Sequence, residues 1–220
     1  MLSEYKLLIF DWDGTLADSI GRIVTAMQVA AKRAGRPERD EESIRGIIGL
    51  GLPEAILTLY PDMAESEVIA FRQHYADVYI ALDEQPSPLF AGVADTLEAF
   101  RADGYRMAVA TGKARRGLNR VLKAHGWERF FDITRAADET ASKPDPLMLN
   151  QILAHCAMSP RQALMVGDAS FDLLMARNAS IDSVAVSYGA QPVERLLALE
   201  PRLAINEFPE LRTWLGRQVK

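Results

Sequence analysis

The chain has 220 residues, a length that suits one domain or two, and either can bury a sizeable core. Its 49% hydrophobic and 25% charged residues match ordinary globular proteins and exclude a disordered or low-complexity chain. A net charge of −5 without a long basic run argues against nucleic acid or an anionic membrane as the main partner. A small anionic ligand remains compatible with this charge, because its site needs only a few local donors or a metal.

The single cysteine, Cys156, has no partner for an internal disulfide, and we interpret it as buried filler in a helix. The first residues do not resemble a secretory signal, and no apolar stretch approaches the roughly 20 residues that span a bilayer. These features predict a cytoplasmic protein without a membrane partner. We expect a monomer or a homodimer.

Four short apolar runs end in polar turns, which is typical of central strands in a parallel sheet. These predicted strands are Lys6–Phe10, Tyr105–Ala110, Ala163–Val166 and Ser183–Val186. Helical patterns accompany them at Val93–Ala102, Arg115–Ala124, Leu147–Ala157 and Phe171–Asn178. The alternation predicts an α/β fold with a Rossmann-like, mostly parallel sheet.

Residues 19–83 interrupt this alternation with helical patterns alone. The predicted helices there are Ile20–Ala34, Glu42–Ile48, Pro53–Tyr60 and Ser66–Ala81, and a proline-rich connector, Gln85–Pro88, follows them. We therefore predict an inserted α-helical domain at residues 19–83. The α/β core would consist of residues 1–18 and 84–220.

Reactive side chains follow three predicted strands at the point where each strand ends, where the ligand crevice of an open α/β sheet lies. Asp11 and Asp13 follow the first, Thr111 and Lys113 follow the second and Asp168 follows the third. Clustered carboxylates repel one another unless a cation is present, and oxygen ligands suit Mg²⁺ best. The histidines are scattered, so zinc is a poor candidate. We therefore predict a Mg²⁺ site at this edge, with Asp172 close by.

Four motifs resemble, in order and spacing, those of the haloacid dehalogenase superfamily of hydrolases, whose members are mostly phosphatases. The motifs are Asp11–Ser19, Thr111–Lys113, Lys143–Pro146 and Gly167–Asp172. The helical insert falls between the first and second motifs, where the cap domain of this family occurs. The resemblance spans almost the whole chain and is closest to the phosphoglycolate phosphatase-like branch.

The resemblance implies a role for each matched carboxylate. Asp11 would be the nucleophile that forms an aspartyl-phosphate, and Asp13 would be the general acid and base. The metal ligands would be the Asp11 carboxylate, the Asp13 backbone carbonyl and the Asp168 carboxylate. Asp172 would orient Lys143 or a metal-bound water rather than bind the metal itself.

The resemblance also implies the groups that bind substrate. The Thr111 hydroxyl and the Gly112 amide would bind phosphoryl oxygens, and Lys143 would offset negative charge. Arg45 lies beside a glycine-rich segment that resembles the part of the cap that reaches the active site. It is a candidate partner for a substrate carboxylate or a second phosphate, with a solvated loop arginine as the alternative. Ala169 departs from the family pattern, in which Thr or Ser is common.

These motifs predict a Mg²⁺-dependent hydrolase of phosphoric monoesters acting on a small phosphorylated metabolite, with phosphoglycolate as the first guess. Pyrophosphate or a sugar phosphate is an alternative substrate. A phosphomutase related to β-phosphoglucomutase is an alternative enzyme on the same fold. A non-enzymatic, receiver-like phospho-acceptor module is disfavoured by the paired aspartates and the large insert.

Overall fold

The computed structural model describes residues 4–82 and 86–217, within which six strands form one sheet. The strands are β1 (Leu7–Phe10), β2 (Arg106–Thr111), β3 (Ile133–Ala136), β4 (Ala163–Gly167), β5 (Asp182–Val186) and β6 (Leu203–Ile205). They lie in the order β3-β2-β1-β4-β5-β6, and every neighbouring pair is parallel. This topology confirms the predicted α/β, Rossmann-like fold. The two edge strands, β3 and β6, were not predicted.

Ten α-helices accompany the sheet in the described residues. Five of them lie between β1 and β2, and the first four of these form the inserted segment: α1 (Ile20–Arg33), α2 (Glu41–Arg45), α3 (Leu52–Leu59) and α4 (Glu65–Leu82). The others are α5 (Val93–Ala102), α6 (Arg115–Ala124), α7 (Leu147–Cys156), α8 (Ser170–Asn178), α9 (Val193–Leu197) and α10 (Glu210–Arg217). The second cap helix ends three residues earlier than predicted, because the chain enters a turn at Gly46 and an isolated bridge joins Ile48 and Leu50.

Strand β1 is buried on both faces, as a central strand of a parallel sheet requires. Alternate side chains point to opposite faces, so Leu8 and Phe10 enter one apolar layer and Leu7 and Ile9 enter the other. Helices α5, α6 and α10 cover the first layer, and α7 and α8 cover the second. Cys156 is buried in the second layer, as predicted.

Helices α1, α2, α3 and α4 share an apolar core of their own, in which Met27, Ile56 and Phe71 are buried. Helices α1 and α4 form the main contact of this helical cap. Its assignment to residues 19–83 as a separate domain stays a prediction, and residue 83 lies outside the described residues. None of the described helices is long and apolar enough to cross a bilayer.

The two chain segments that join the cap to the core lie side by side. The Asp18 amide donates to the Pro88 carbonyl at 2.8 Å, and the Phe90 amide donates to the Leu16 carbonyl at 3.0 Å. A bridge between Ala17 and Leu89 makes this pairing antiparallel. The chain therefore leaves and re-enters the core at neighbouring points.

Candidate active site

Three adjacent strands deliver polar side chains to one edge of the sheet. Asp11 directly follows β1, Thr111 ends β2 and Asp168 directly follows β4, and β1 lies between the other two strands. All three side chains are buried. The Thr111 hydroxyl accepts a hydrogen bond from the amide of Lys113 at 3.2 Å. The predicted convergence of strand-end residues is thus present in the fold.

A buried lysine joins two of the aspartates. The ammonium of Lys143 donates to Oδ1 of Asp11 at 2.7 Å and to Oδ1 of Asp172 at 2.6 Å, and none of the three is more than 1% exposed. Burial raises the pKa of Asp11 well above its usual range, although Lys143 opposes this shift. Burial acts to lower the pKa of Lys143, but the two carboxylates outweigh it and raise that pKa. Asp172 therefore fixes the position of the Lys143 ammonium beside Asp11.

Asp168 is held by groups from two loops. The Thr15 hydroxyl donates to its Oδ1 at 2.8 Å, and the Ala190 amide donates to its Oδ2 at 2.7 Å. A Cβ atom at Gly14 or at Gly189 would lie only 2.2 or 2.1 Å from atoms of Asp168, so neither position has room for a side chain. Burial raises the pKa of Asp168 to about 7 despite both hydrogen bonds.

Asp13 has its own lysine partner. The ammonium of Lys113 lies 2.8 Å from Oδ1 of Asp13, and the Ser19 hydroxyl donates to the same oxygen. Lys113 also donates to the phenol oxygen of Tyr79, a cap residue, at 3.3 Å. Burial opposes the charged form of Lys113, but attraction to Asp13 outweighs it and raises the pKa of the lysine. Asp13, the candidate acid and base, is therefore linked to the cap through Lys113.

Three carboxylates are close enough to share a cation. Asp11, Asp168 and Asp172 each place an oxygen within 4.8 Å of the others, and all three are buried. Oδ2 of Asp11 is buried and has no hydrogen-bond donor among the described residues. Buried carboxylates in apolar surroundings require a compensating positive charge, and one lysine does not supply it for three. The residues present therefore fit a divalent cation bound by oxygen.

The cap reaches the site through its glycine-rich segment. A Cβ atom at Gly112 would lie 2.5 Å from the carbonyl oxygen of Leu50 and 2.6 Å from that of Gly49. The Gly51 amide donates to the Ser142 hydroxyl, on the core side, at 2.8 Å. Glycine at position 112 is therefore required by the close approach of the cap backbone.

Arg45 lies against the loop that follows β5. Its guanidinium donates to the carbonyl oxygens of Gly189 at 2.8 Å and Ala190 at 3.0 Å, in the loop after β5. Gln191 in the same loop donates to the Gly46 carbonyl at 3.3 Å. The role of Arg45 in binding a substrate carboxylate or phosphate therefore stays a prediction, and in this structure two of its donors join the cap to the core.

A cavity of about 850 Å³ lies between the cap and the core. Asp11 and Asp13 line its inner end, and helices α4 and α6 form two of its walls. Gly112 and Lys113 also line it, which places part of the second motif at the cavity wall. The candidate nucleophile, the candidate acid and base and the second motif therefore meet at one cavity.

Comparison with known proteins agrees with this geometry. A family model described as haloacid dehalogenase-like hydrolase matches residues 8–186. The chain belongs to this family. The phosphoglycolate phosphatase of Vibrio parahaemolyticus is 31% identical over 216 residues, which cover 94% of this chain and 95% of that protein. The phosphoglycolate phosphatase of Vibrio cholerae is 32% identical over 218 residues, 96% of each chain. The chain is therefore a hydrolase of phosphoric monoesters.

Solved structures share the fold. A haloacid dehalogenase-like hydrolase from Streptococcus pneumoniae superposes with a TM-score of 0.82 and 26% identity, covering 96% of this chain and 98% of that chain. CbbY from Rhodobacter sphaeroides, solved in complex with xylulose-(1,5)bisphosphate, superposes with a TM-score of 0.83 and 23% identity, covering 96% of each chain. Both cover the cap together with the sheet.

Proposed function

We propose that the chain is a Mg²⁺-dependent phosphatase that hydrolyses a small phosphomonoester through an aspartyl-phosphate intermediate. The observation that carries this proposal is the environment of Asp11. Its Oδ1 accepts a hydrogen bond from Lys143, while its Oδ2 is buried beside the cavity and finds no donor among the described residues. A carboxylate held in this way is fixed in position and keeps lone pairs available for a cation or for phosphorus.

Asp11 and Asp13 carry the two chemical steps. A carboxylate oxygen of Asp11 bonds to phosphorus as the ester P–O bond breaks, and Asp13 donates a proton to the leaving oxygen. Asp13 then takes a proton from a water molecule that attacks the same phosphorus. The P–O bond to Asp11 breaks, inorganic phosphate leaves, and the Asp11 carboxylate is restored. Ser19 and Lys113 support this role by holding Asp13 in place.

Positive charge and hydrogen-bond donors stabilise the transferring phosphoryl group. The Asp11 and Asp168 carboxylates and the Asp13 backbone carbonyl would hold Mg²⁺, which reduces repulsion between Asp11 and the phosphate. Lys143 offsets further negative charge, and Asp172 positions it through a 2.6 Å contact. Both oxygens of Asp172 accept hydrogen bonds, which supports a positioning role rather than direct metal binding.

The remaining contacts of the substrate come from the second motif and the cap. The Thr111 hydroxyl and the Gly112 amide bind phosphoryl oxygens, and the cap domain, residues 19–83, covers the leaving group. Phosphoglycolate is the first substrate to test, because it gives the two Vibrio relatives their names. We assign the enzyme to the cytoplasm, where phosphorylated metabolites and unpaired cysteines such as Cys156 are common.

Phosphate release tests this proposal directly. The panel contains phosphoglycolate, a sugar monophosphate, pyrophosphate and a bisphosphorylated sugar, each with Mg²⁺ and with EDTA. Release should require Mg²⁺ and should fall by at least about 10⁴-fold in Asp11→Asn, because the nucleophile is lost. Asp103→Asn, which changes a surface carboxylate, should retain wild-type activity. Undiminished turnover by Asp11→Asn would refute the mechanism, and a rearranged sugar phosphate as product would indicate a mutase.

A further inference from the structure

The cavity is larger than a two-carbon leaving group requires. Its volume of about 850 Å³ lies near the upper end of the range for pockets that hold drug-sized ligands, about 300–1,000 Å³. The phosphoryl group is confined to the inner end, at Asp11. The rest of the cavity extends outward between α4 and α6, so the leaving group has this space.

The cap wall of the cavity is apolar and partly aromatic. The rings of Tyr75 and Tyr79 stack with their centroids 5.7 Å apart and an angle of 26° between their planes. Burial raises the pKa of Tyr75, so its phenol is uncharged at neutral pH. Four aliphatic side chains complete this wall, namely Met27, Ile47, Ile48 and Ile80. Such a wall favours a planar apolar body, because aromatic rings pair with one another in stacked or edge arrangements.

The opposite wall carries a concentration of positive charge. Residues 113–123 contain five basic residues and no acidic one, although the chain as a whole has a net charge of −5. Arg116 and Lys123 from α6 line the cavity on this wall, and Arg72 from α4 lines it on the cap wall. Among residues 4–82 and 86–217, no carboxylate lies within ion-pair distance of these three side chains. We call them the rim cations.

Other charged groups near this wall already have partners. Lys113 pairs with Asp13 at 2.8 Å, and Arg115 pairs with Glu139 outside the cavity. Asp138 lines the cavity, but its carboxylate accepts a hydrogen bond from the backbone amide of Arg115 at 2.7 Å. Glu54 and Arg120 also line the cavity, and the rim cations are exposed there and available to meet a negative charge on a bound molecule.

Resting on the phosphatase function proposed above, we propose that the substrate is a phosphate monoester whose leaving group has a planar apolar body and a second anionic group. The body packs on Tyr75 and the aliphatic cap wall, and the anion faces Arg72, Arg116 and Lys123. Attraction between the second anion and these cations favours such an ester over one with a neutral group at the same place.

A matched pair of esters tests the second anionic group. Para-carboxyphenyl phosphate and para-carbamoylphenyl phosphate have nearly the same shape and differ in charge. In the wild type we expect kcat/KM to be about tenfold higher for the carboxylate ester. In the double variant Arg116→Gln/Lys123→Gln the ratio of kcat/KM for the carboxylate ester to kcat/KM for the carboxamide ester should fall about tenfold. The two esters also differ in leaving-group reactivity, but this difference is the same in both enzymes and cancels when the two ratios are compared. Arg129→Gln, an exposed arginine outside the cavity, should keep the wild-type ratio.

Two further measurements separate the parts of the proposal. Binding of both esters to Asp11→Asn, which does not turn them over, should show the same preference for the carboxylate by calorimetry. Tyr75→Ala should lower kcat/KM for phenyl phosphate more than for phosphoglycolate, since only the first ester has an aromatic body.

The outcomes distinguish this proposal from the phosphatase function. If the carboxylate to carboxamide ratio is equal in the wild type and the double variant, the second anionic site is refuted. Mg²⁺-dependent release that requires Asp11 would still support the phosphatase. If no ester releases phosphate, the phosphatase proposal fails. Equal binding of both esters to Asp11→Asn would then refute the rim-cation site as well.

Discussion

Charged side chains are stabilised in different ways on the two sides of the cavity. On the core side, Asp11, Lys143 and Asp172 are buried and bonded to one another. On the outer side, Arg72 and Arg116 are exposed, and neither has an ion pair within the part of the chain that the structure describes. Buried charges need partners of fixed geometry, whereas exposed cations are stabilised by water and need no partner until a ligand binds. The charges on the core side are therefore fixed for one reaction. The exposed side chains on the outer side can adjust to different leaving groups.

The buried lysine should have the largest effect on stability. Lys143→Gln leaves the carboxylates of Asp11 and Asp172 without their cation, and we expect a loss of about 3–5 kcal/mol in the free energy of unfolding in EDTA. The matched control is Arg212→Gln, whose pair with Asp103 is 52% and 41% exposed and should cost at most about 1 kcal/mol. Urea unfolding measures both values. Equal losses in the two variants would contradict the distinction between buried and exposed charge.

A methyl group at the contact between cap and core should have the next largest effect. Gly112→Ala places Cβ about 2.5 Å from the cap carbonyls, so the cap backbone must move away from the second motif. Overpacking of this kind costs about 1–3 kcal/mol, which corresponds to roughly fivefold to 150-fold in kcat/KM if the contact forms in the transition state. Gly21→Ala, with nothing within 4 Å of its Cβ, should leave kcat/KM unchanged. Steady-state kinetics on one ester separates the two results.

Proton competition should control metal affinity at the core side. The pKa of Asp168 is about 7 without metal, so below that pH a cation must displace its proton. At pH 6 only about a tenth of the carboxyl is ionised, and Mg²⁺ should bind about tenfold more weakly than at pH 8. The increase in Tm caused by Mg²⁺ should therefore grow from pH 6 to pH 8. An increase independent of pH, or one retained in Asp168→Asn, would contradict this assignment.

Arg45 should have the smallest effect of the four. Arg45→Gln removes two hydrogen bonds to the loop at Gly189 and Ala190, at the contact between cap and core. We expect kcat/KM to fall only a few-fold, and by the same factor for phosphoglycolate and phenyl phosphate. A selective loss for phosphoglycolate would instead place Arg45 on the substrate carboxylate. A parallel assay of the two esters decides this.

The sequence predicted the elements that are buried on both faces and missed those at the edges. Strand β1 is a run of apolar residues because both of its faces are covered. Strand β3, with sequence Ile-Thr-Arg-Ala, is half-exposed in the middle, and β6 has only three residues. Neither has enough apolar residues to be distinguished from a loop.

The candidate site divides in the same way. Asp11, Thr111 and Asp168 were predictable because each stands at the end of a recognisable strand. The contacts of Asp168 with Thr15 and Ala190 join residues 153 and 22 positions apart and depend on how loops pack. The partner of Asp13 was also missed, although Lys113 is part of the second motif. The position of Lys113, two residues after the end of β2, was the signal from which a pairing with Asp13 could have been predicted.

The paired linkers at Leu16–Asp18 and Pro88–Phe90 have a consequence for how such an enzyme can change. Because both ends of the insert meet at one place, a segment of any length can be exchanged there while the sheet keeps its connections. A short turn could also join the two linkers in place of the insert. Exchange of the insert would then change the part of the leaving-group site that the cap supplies, while the catalytic aspartates and the two rim cations of α6 stay with the core.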